Sequence, residues 1–171
     1  MRSAEEYPVR ATVGDVSLAA DVYDSPDKAK AGFHLDVTSE GFYPVNLILR
    51  NGTNDRIFVL RETVALTDAG GTVWRPVRSA IMAGVFEYSR AAHLILAGVL
   101  DYAAVTEANL RMQSDWREKE IPDQLLILPG QRAHGFVYFR LPKDQRPKGG
   151  TLRVDVEKVE TKKTIQFELR L

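Results

Sequence analysis

The stretch LLILPGQRAHGFVYFRLP, Leu125–Pro142, contains the clearest β-structure signal in the chain. Pro129-Gly130 is the central pair of a type II turn, in which proline takes the second position and glycine supplies a positive φ at the third. Residues two apart share one face of a strand, so His134, Phe136 and Tyr138 should lie on the same side. The stretch therefore predicts two strands that pair, or turn a corner, at Pro129-Gly130.

His134 follows the turn directly, at the rim of the predicted sheet. A histidine in that place is interpreted as a half-exposed polar residue and not as a catalytic group or a ligand. Gly135 beside it is typical of a bulge or of close backbone approach rather than of a substrate cradle. Val137 and Phe139 should take the opposite face.

Apolar residues spaced by two also dominate the rest of the chain outside residues 77–119, which is the pattern of strands that alternate between two faces. Turn-forming residues separate these runs. The runs are VSLAADVY (Val16–Tyr23), PVNLILRN (Pro44–Asn51), ETVALTDAGG (Glu62–Gly71), QLLIL, TLRVDVEKV and TIQFELRL. Short strands with regular turns predict a mainly β antiparallel sandwich of about eight strands, whose last two strands form a hairpin at Glu160–Lys163.

Residues 77–119 have a helical composition, because they contain no proline and only two glycines among many alanines and leucines. We interpret Ala91–Lys119 as one long amphipathic helix that stops before Pro122. One face carries an i,i+4 ladder of alternating charge, formed by Glu107, Arg111, Asp115 and Lys119. The opposite face is formed by Val105, Ala108, Met112 and Trp116. The sequence thus predicts a helical insertion at about residues 77–119.

The first half of this insertion is apolar over most of its circumference, which requires a partner helix, a sheet together with a subunit, or lipid. Its longest uncharged run, Ala91–Leu100, has ten residues, whereas a transmembrane helix needs about 20. The run therefore predicts no transmembrane segment. Broad apolar surfaces mark interaction sites. The candidate interface or pocket residues are Phe86, Leu94, Leu96, Leu100, Tyr102 and Trp116.

Composition narrows the class of protein further. A chain of 171 residues fits a single domain, 1–171. The 23 lysines and arginines balance 23 aspartates and glutamates, so no net positive charge favours nucleic-acid binding. The absence of cysteine excludes disulfides, thiol nucleophiles and zinc fingers. The first ten residues lack an apolar leader, which is consistent with a cytoplasmic chain or with a leader removed from this sequence.

Metal and glycan sites are weakly indicated. His34 and Asp36 would share one strand face as two ligands, but a zinc site needs three or four, and the chain has only three histidines. The Asp21, Asp24 and Asp27 spacing does not fit a calcium loop; aspartate as a turn former and helix N-cap before KAKAGF is the simpler interpretation. Asn51-Gly52-Thr53 matches a glycosylation acceptor, yet it is also an ordinary loop after a strand.

No motif for nucleophilic catalysis, phosphate binding or dinucleotide binding occurs in the sequence. We therefore expect no catalytic residue, no metal and no cofactor, and a protein that binds or assembles through its apolar insertion, with self-association, a protein partner or lipid as possible partners. A second hypothesis is a lipid or small-molecule carrier with a pocket between helix and sheet, lined by Phe86, Tyr102 and Trp116. A third is a hydrolase, which would require His34, His93 or His134 next to a nucleophile.

Several of these segments together resemble a family of bacterial envelope proteins described as lipoproteins. The resemblance covers about residues 7–171 and lies in the Pro44 strand with Asn51, the Asp68–Gly71 turn, the apolar insertion, and Pro129-Gly130 followed by GFVYF. It implies an immunoglobulin-like β-sandwich and a periplasmic or outer-membrane-associated location. It implies no catalytic residues. Members usually begin with a signal that ends in a lipidated cysteine, which this sequence lacks, and their insertion is often richer in glycine.

Overall fold

The computed structural model describes residues 4–96, 102–143 and 145–171. Within them lie ten strands, three α-helices and three short 3-10 helices. The strands are β1 (Arg10–Val13), β2 (Val16–Val22), β3 (Phe42–Asn51), β4 (Ile57–Leu60), β5 (Ala65–Thr67), β6 (Val73–Trp74), β7 (Gln124–Ile127), β8 (Arg132–Arg140), β9 (Thr151–Lys158) and β10 (Thr164–Arg170). The helices are α1 (Pro26–Phe33), α2 (Ser79–Leu96) and α3 (Tyr102–Lys119).

The strands form two antiparallel sheets. The first has the order β1-β2-β3-β8. In the second sheet, β9 is central and pairs with β10 along one edge. Along its other edge, β9 pairs with both β4 and β5. β4 then pairs with β7, and β5 pairs with β6. The prediction of a mainly β, immunoglobulin-like antiparallel sandwich is confirmed. The structure has ten strands where about eight were expected; β1, β4 and β6, which have four, four and two residues, correspond to none of the runs named in the sequence.

The main core lies between the two sheets, where the inward faces of the alternating strands meet. Leu18, Leu47 and Val137 from the first sheet and Val154 and Phe167 from the second are examples, each at most 1 % exposed. Because Val137 and Phe139 lie in this core while Phe136 and Tyr138 lie outside it, the predicted division of β8 between two faces is confirmed.

The chain changes sheets at Pro129-Gly130. The Gln131 N–H donates to the Leu128 carbonyl at 3.0 Å, and Gly130 has φ +75°, as the predicted turn requires. β7 before the turn pairs with β4 in the second sheet, and β8 after it pairs with β3 in the first. Of the two predicted outcomes, the chain therefore turns a corner.

The other predicted turns are present. The Asp68 carboxylate closes the β5–β6 turn, because it accepts the N–H groups of Gly70 and Thr72 and the Trp74 Nε1–H, all at 2.9 Å. These hydrogen bonds lower the pKa of Asp68 below its usual range, and the bond from the Trp74 indole has the largest effect. β9 and β10 form the predicted hairpin around Glu160–Lys163.

Asn51 at the end of β3 is fully buried. Its Nδ2 donates to the carbonyls of Asp55 at 2.8 Å and Ile127 at 3.1 Å, and its Oδ1 accepts the Thr53 N–H at 3.0 Å and the Thr53 hydroxyl at 2.7 Å. A glycan on Nδ2 would require the loss of these contacts. The acceptor-like tripeptide is therefore a structural turn in this fold.

The helical insertion lies between β6 and β7 as expected, but the prediction of one helix over Ala91–Lys119 is wrong. The structure places two helices there, α2 and α3, with residues 97–101 outside the described residues. The Phe86 and Trp116 rings are 5.8 Å apart; along a single straight helix, 30 residues would separate them by about 45 Å. The chain therefore reverses, and each helix supplies the partner that the other's apolar face requires.

Both ends of the insertion are attached to the outer edge of β8. The Val77 N–H donates to the Tyr138 carbonyl at 2.8 Å, and the Ile121 N–H donates to the Phe136 carbonyl at 3.0 Å. A Cβ on Gly135 would lie 2.7 Å from Ile121 Cγ2, so the expected close approach at Gly135 is confirmed. These bonds cover part of an edge that would otherwise be open to pairing with another chain.

Candidate functional site

A second apolar cluster, here called the aromatic cluster, lies between the helices and the outer face of the first sheet. Its buried members are Ala29, Phe33, Val37, Phe42, Met82, Ala83, Phe86, Met112, Trp116, Phe136 and Tyr138. They come from α1, α2, α3, β3, β8 and the segment after α1. The insertion thus covers both a face and an edge of this sheet.

Helix α1 contributes Phe33 to the aromatic cluster. The helix begins at Pro26, and Ser25 is its N-cap, where the side chain accepts the Lys28 N–H. An aspartate was expected in the capping role; Asp27 instead lies in the first turn, where its charge suits the helix dipole. Burial of Ala29 and Phe33 then directs this helix against the sheet.

Phe33 is the centre of the aromatic packing. Its ring is edge-on to those of Tyr23, Trp116, Phe136 and Tyr138, at centroid distances of 5.7, 6.1, 5.1 and 6.0 Å. Edge-to-face pairs at such distances are favourable beyond the area that they bury. One residue of α1 therefore connects the first sheet to α3.

The predicted site residues Phe86 and Trp116 lie inside this cluster. Phe86 is 7 % exposed and Trp116 is fully buried, with perpendicular rings in contact. These two rings leave no space between them for a ligand. Leu94, Leu96 and Tyr102 belong to α2 and α3, but their side chains are not among the described ones, and Leu100 lies outside the described residues. For these four the interface remains a prediction.

An open groove lies on the other side of Trp116, along α3, and has a volume of about 490 Å³. We call it the α3 groove. Its lining residues are Phe33, His34, Leu35, Glu107, Ala108, Arg111, Met112, Asp115 and Trp116. The volume lies within the range that holds small organic ligands. The sequence indicated the apolar side of α3 but not the end of α1 that completes the groove.

Charged groups at the rim of the α3 groove are paired along the helix, which confirms the predicted ladder. Arg111 Nη2 lies 2.5 Å from Glu107 Oε1, and Lys119 Nζ lies 2.6 Å from Asp115 Oδ2. Such exposed pairs contribute about 0.3–0.5 kcal/mol each. Both carboxylates of the lining, Glu107 and Asp115, are therefore neutralised by a cation on the same helix.

Trp116 has a buried donor without an acceptor. Its Nε1–H makes no hydrogen bond within the described part of the chain, although its backbone carbonyl accepts the Tyr138 hydroxyl at 2.8 Å. Burial, with a smaller effect from the carboxylates of Glu120 and Asp115, raises the pKa of Tyr138 far above its usual value, so this hydroxyl remains a donor. An unpaired buried donor costs about 1–3 kcal/mol, so the indole N–H of Trp116 is a local cost to stability.

The histidines form no metal site within the described residues. His34 is the C-cap of α1, with φ +59°, so the expected strand placement of His34 and Asp36 is wrong; Asp36 instead accepts the Thr38 N–H at 3.1 Å. His134 is exposed on β8, and the side chain of His93 is not described. No group of three or more metal-ligating side chains occurs in residues 4–96, 102–143 and 145–171.

A buried charged group at the base of the insertion was missed by sequence reasoning. Glu120 Oε2 accepts the Ser79 N–H at 3.2 Å and its hydroxyl at 2.5 Å, and Glu120 Oε1 lies 3.1 Å from Arg61 Nη1. Arg61 also pairs with Asp123, as does Arg78, and the bond from Arg78 is the main reason that the pKa of Asp123 is lowered. This group joins the start of α2 and the end of α3 to the second sheet.

Comparison with known proteins identifies similar solved structures but no activity. No family model and no curated protein matches the chain. Two similar solved structures are a Bordetella pertussis protein provisionally named ApaA, with 13 % identity over 95 % of this chain and 90 % of that one at a TM-score of 0.37, and a DUF4426 family protein from Pseudomonas aeruginosa PAO1, with 15 % identity over 93 % and 90 % at 0.34. Neither description states an activity. The fold assignment therefore rests on this chain's own strand pairing.

Among the described residues, no helix has both the length and the apolar character needed to span a membrane.

Proposed function

We propose that this chain is a non-enzymatic binding protein of the bacterial cell envelope, located in the periplasm or at the outer membrane, that holds a small apolar molecule in the α3 groove. The observation that carries this proposal is the groove itself: about 490 Å³, with an apolar lining that includes Leu35, Ala108 and Met112. Sites for small molecules are concave and mostly apolar, with few polar groups. The envelope location is supported by the resemblance described above.

The non-enzymatic part of the proposal is supported by the chemistry of the lining. Its only imidazole, His34, caps a helix and lies on the exposed rim. The carboxylates of Glu107 and Asp115 are each engaged by a cation on the same helix. A general base needs a nucleophile or substrate proton within hydrogen-bond reach, and the described lining contains no serine, threonine or lysine.

Filling the groove is expected to weaken binding of an apolar probe. Ala108 lines the groove but is exposed, so Ala108→Phe introduces a ring there without disturbing the core. Titration with the neutral fluorophore N-phenyl-1-naphthylamine should give a saturable signal for the parent protein. Ala108→Phe should weaken it by about tenfold or more, a change of about 1.4 kcal/mol.

The matched control for this titration is Ser114→Phe, which adds the same ring at an exposed position of α3 outside the lining. It should bind the probe as the parent does. Equal affinity of all three proteins, or no saturable binding by the parent, would show that the groove is not a ligand site.

Self-association through the insertion is a second candidate function, favoured by large exposed apolar side chains on both helices: Ile81 is 49 % exposed on α2 and Leu110 is 59 % exposed on α3. Exposed apolar groups of this kind occur at protein interfaces. If the insertion associates, Leu96→Glu and Leu100→Glu should reduce the mass in solution measured by light scattering. A monomeric parent protein, or folded variants of unchanged oligomeric mass, would exclude this candidate.

A further inference from the structure

We infer that a second copy of this chain pairs its β7 with the β7 of the first, antiparallel about Leu126, so that the second sheets of two protomers join into one. The inference goes beyond the proposed function, since β7 belongs to the second sheet, whereas the α3 groove is formed by α3 and the end of α1. The surface concerned is a strand edge and not the helical insertion.

β7 is an edge strand. It is the last strand in the order of the second sheet, where it pairs with β4. Gln124, Leu126 and Leu128 are exposed, and the two leucines are 49 % and 41 % exposed. Within the described residues, no strand occupies the position beyond β7.

Alternate residues of β7 direct their backbone polar groups away from β4. The Arg61 N–H donates to the Asp123 carbonyl at 2.9 Å, and in an antiparallel pair the residues that exchange hydrogen bonds alternate with those that do not. In the observed register Leu125 therefore bonds to β4, whereas the N–H and C=O groups of Gln124 and Leu126 point outward. An edge of this kind can accept a further strand.

The other strand edges of the described sheets are protected against pairing. β10 carries the exposed Glu168, β1 carries the exposed Arg10, and β6 has only two residues. The outer edge of β8 is bonded by the N–H groups of Val77 and Ile121. Charge, shortness and cover are the usual protections of a sheet edge. Residues 124–128 contain no charge, no proline and no glycine, so the β7 edge has none of these protections.

The sequence of β7 has the properties that its own edge requires of a partner strand. Pro122 and Pro129, which have no N–H, lie on either side of the segment and limit the length of an added strand. With Leu126 opposite the partner's Leu126, Asp123 lies opposite the partner's Pro129 and every pair between them is uncharged. The arrangement is two-fold symmetric, as most homodimers are. A second copy therefore matches the edge in length, charge and symmetry.

The same pairing covers apolar side chains on the outer face of the second sheet. The half-buried Phe58 lies opposite Leu126 in the β4–β7 register. In the dimer, Leu126 of each copy lies beside that of the other, and Phe58 of each copy lies at the outer end of the row; such cross-strand apolar pairs stabilise a sheet. Because the paired strands are short, whereas stable interfaces bury about 1,200–2,000 Å², we expect a weak, reversible dimer.

Sedimentation equilibrium of the full chain over micromolar to millimolar concentrations measures this association. The parent should change reversibly from monomer to dimer as the concentration rises. Leu126→Lys places two ammonium groups opposite each other at the centre of the pairing and should weaken the dimer by about tenfold or more, because like charges directly opposite destabilise paired strands. The matched control is Leu110→Lys, the same change at a leucine of α3 that is 59 % exposed. It should dimerise as the parent does.

Amide hydrogen exchange of the parent tests the backbone pairing itself. The N–H groups of Gln124 and Leu126 should exchange slowly in concentrated solution and rapidly in dilute solution. The N–H group of Leu125 faces β4 and should exchange slowly in both. This alternation distinguishes strand pairing from a contact made by side chains alone, and it remains decisive if Leu126→Lys does not fold.

Three results would overturn the inference. A parent that stays monomeric at all concentrations would leave the edge to a strand of another protein. Equal dimerisation of Leu126→Lys and the parent would show that β7 is not the interface. Loss of the dimer in Leu110→Lys but not in Leu126→Lys would assign the association to the insertion. The α3 groove is tested separately by N-phenyl-1-naphthylamine, so this inference and the proposed function can fail independently.

Discussion

Replacing Phe33 with alanine is expected to lower the free energy of unfolding by about 3–5 kcal/mol. The Phe33 side chain is 1 % exposed and contacts four aromatic rings, two of them on β8 and one on α3. Its removal leaves a cavity where α1, the insertion and the first sheet meet. Because three elements would have to move together to fill that cavity, little of the loss should be recovered by relaxation.

Urea denaturation, monitored by circular dichroism, measures this change in the free energy of unfolding. The control is Phe58→Ala: Phe58 is only partly buried and lies opposite Leu126 on the second sheet, outside the aromatic cluster. Phe58→Ala should lower the free energy of unfolding by about 1 kcal/mol, because part of the Phe58 side chain is already exposed to water. If Phe33→Ala costs no more than this control, the aromatic cluster does not hold the helices on the sheet.

Local signals explain which parts of the fold were predictable. Period-two spacing, the Pro129-Gly130 pair and the Asp68–Gly71 turn depend on residues close in sequence, and each gave the observed strand or turn. The Glu107 and Asp115 ion pairs were predictable for the same reason, since i,i+4 neighbours meet on any helix.

The break between α2 and α3 was missed because helical composition continues on both sides of it, with only Gly98 as an interruption in the sequence. What identifies two helices is the contact between Phe86 and Trp116. Tertiary packing of this kind overrides propensity summed along a window. The 3-10 helix at Arg61–Thr63, which takes the start of the predicted run Glu62–Gly71, was missed similarly, because that segment has no glycine or proline.

Only the α3 side of the candidate site was predictable from the sequence. Amphipathic spacing identified Trp116 and Met112 on α3, but nothing near them in sequence indicates that Phe33 and Leu35 form the facing wall. The missing acceptor of the Trp116 indole is likewise invisible in the sequence, because it depends on what every neighbouring element presents to that atom.

Replacing Glu120 with alanine is expected to cost about 3 kcal/mol, because it breaks a buried ion pair and leaves buried groups unpaired. The side chains of Glu120 and Arg61 are 8 % and 11 % exposed. Without the carboxylate, the partner that Arg61 keeps among the described residues is Asp123, whose side chain is 71 % exposed, and Ser79 loses the acceptor for both its N–H and its hydroxyl. The matched control is Glu107→Ala, an exposed pair on α3, with an expected effect within about 0.5 kcal/mol.

The two tryptophans report whether Glu120→Ala destabilises the insertion alone or the sandwich as well. Trp74 lies in β6 and Trp116 in α3, so Trp116→Phe and Trp74→Phe backgrounds report the sandwich and the insertion separately by fluorescence. Because Glu120, Val77 and Ile121 tie the insertion to both sheets, we expect Glu120→Ala to shift both transitions to the same lower urea concentration, as one cooperative domain requires. If the Trp116 transition moves while the Trp74 transition stays, the insertion unfolds on its own and residues 1–171 are not a single folding unit.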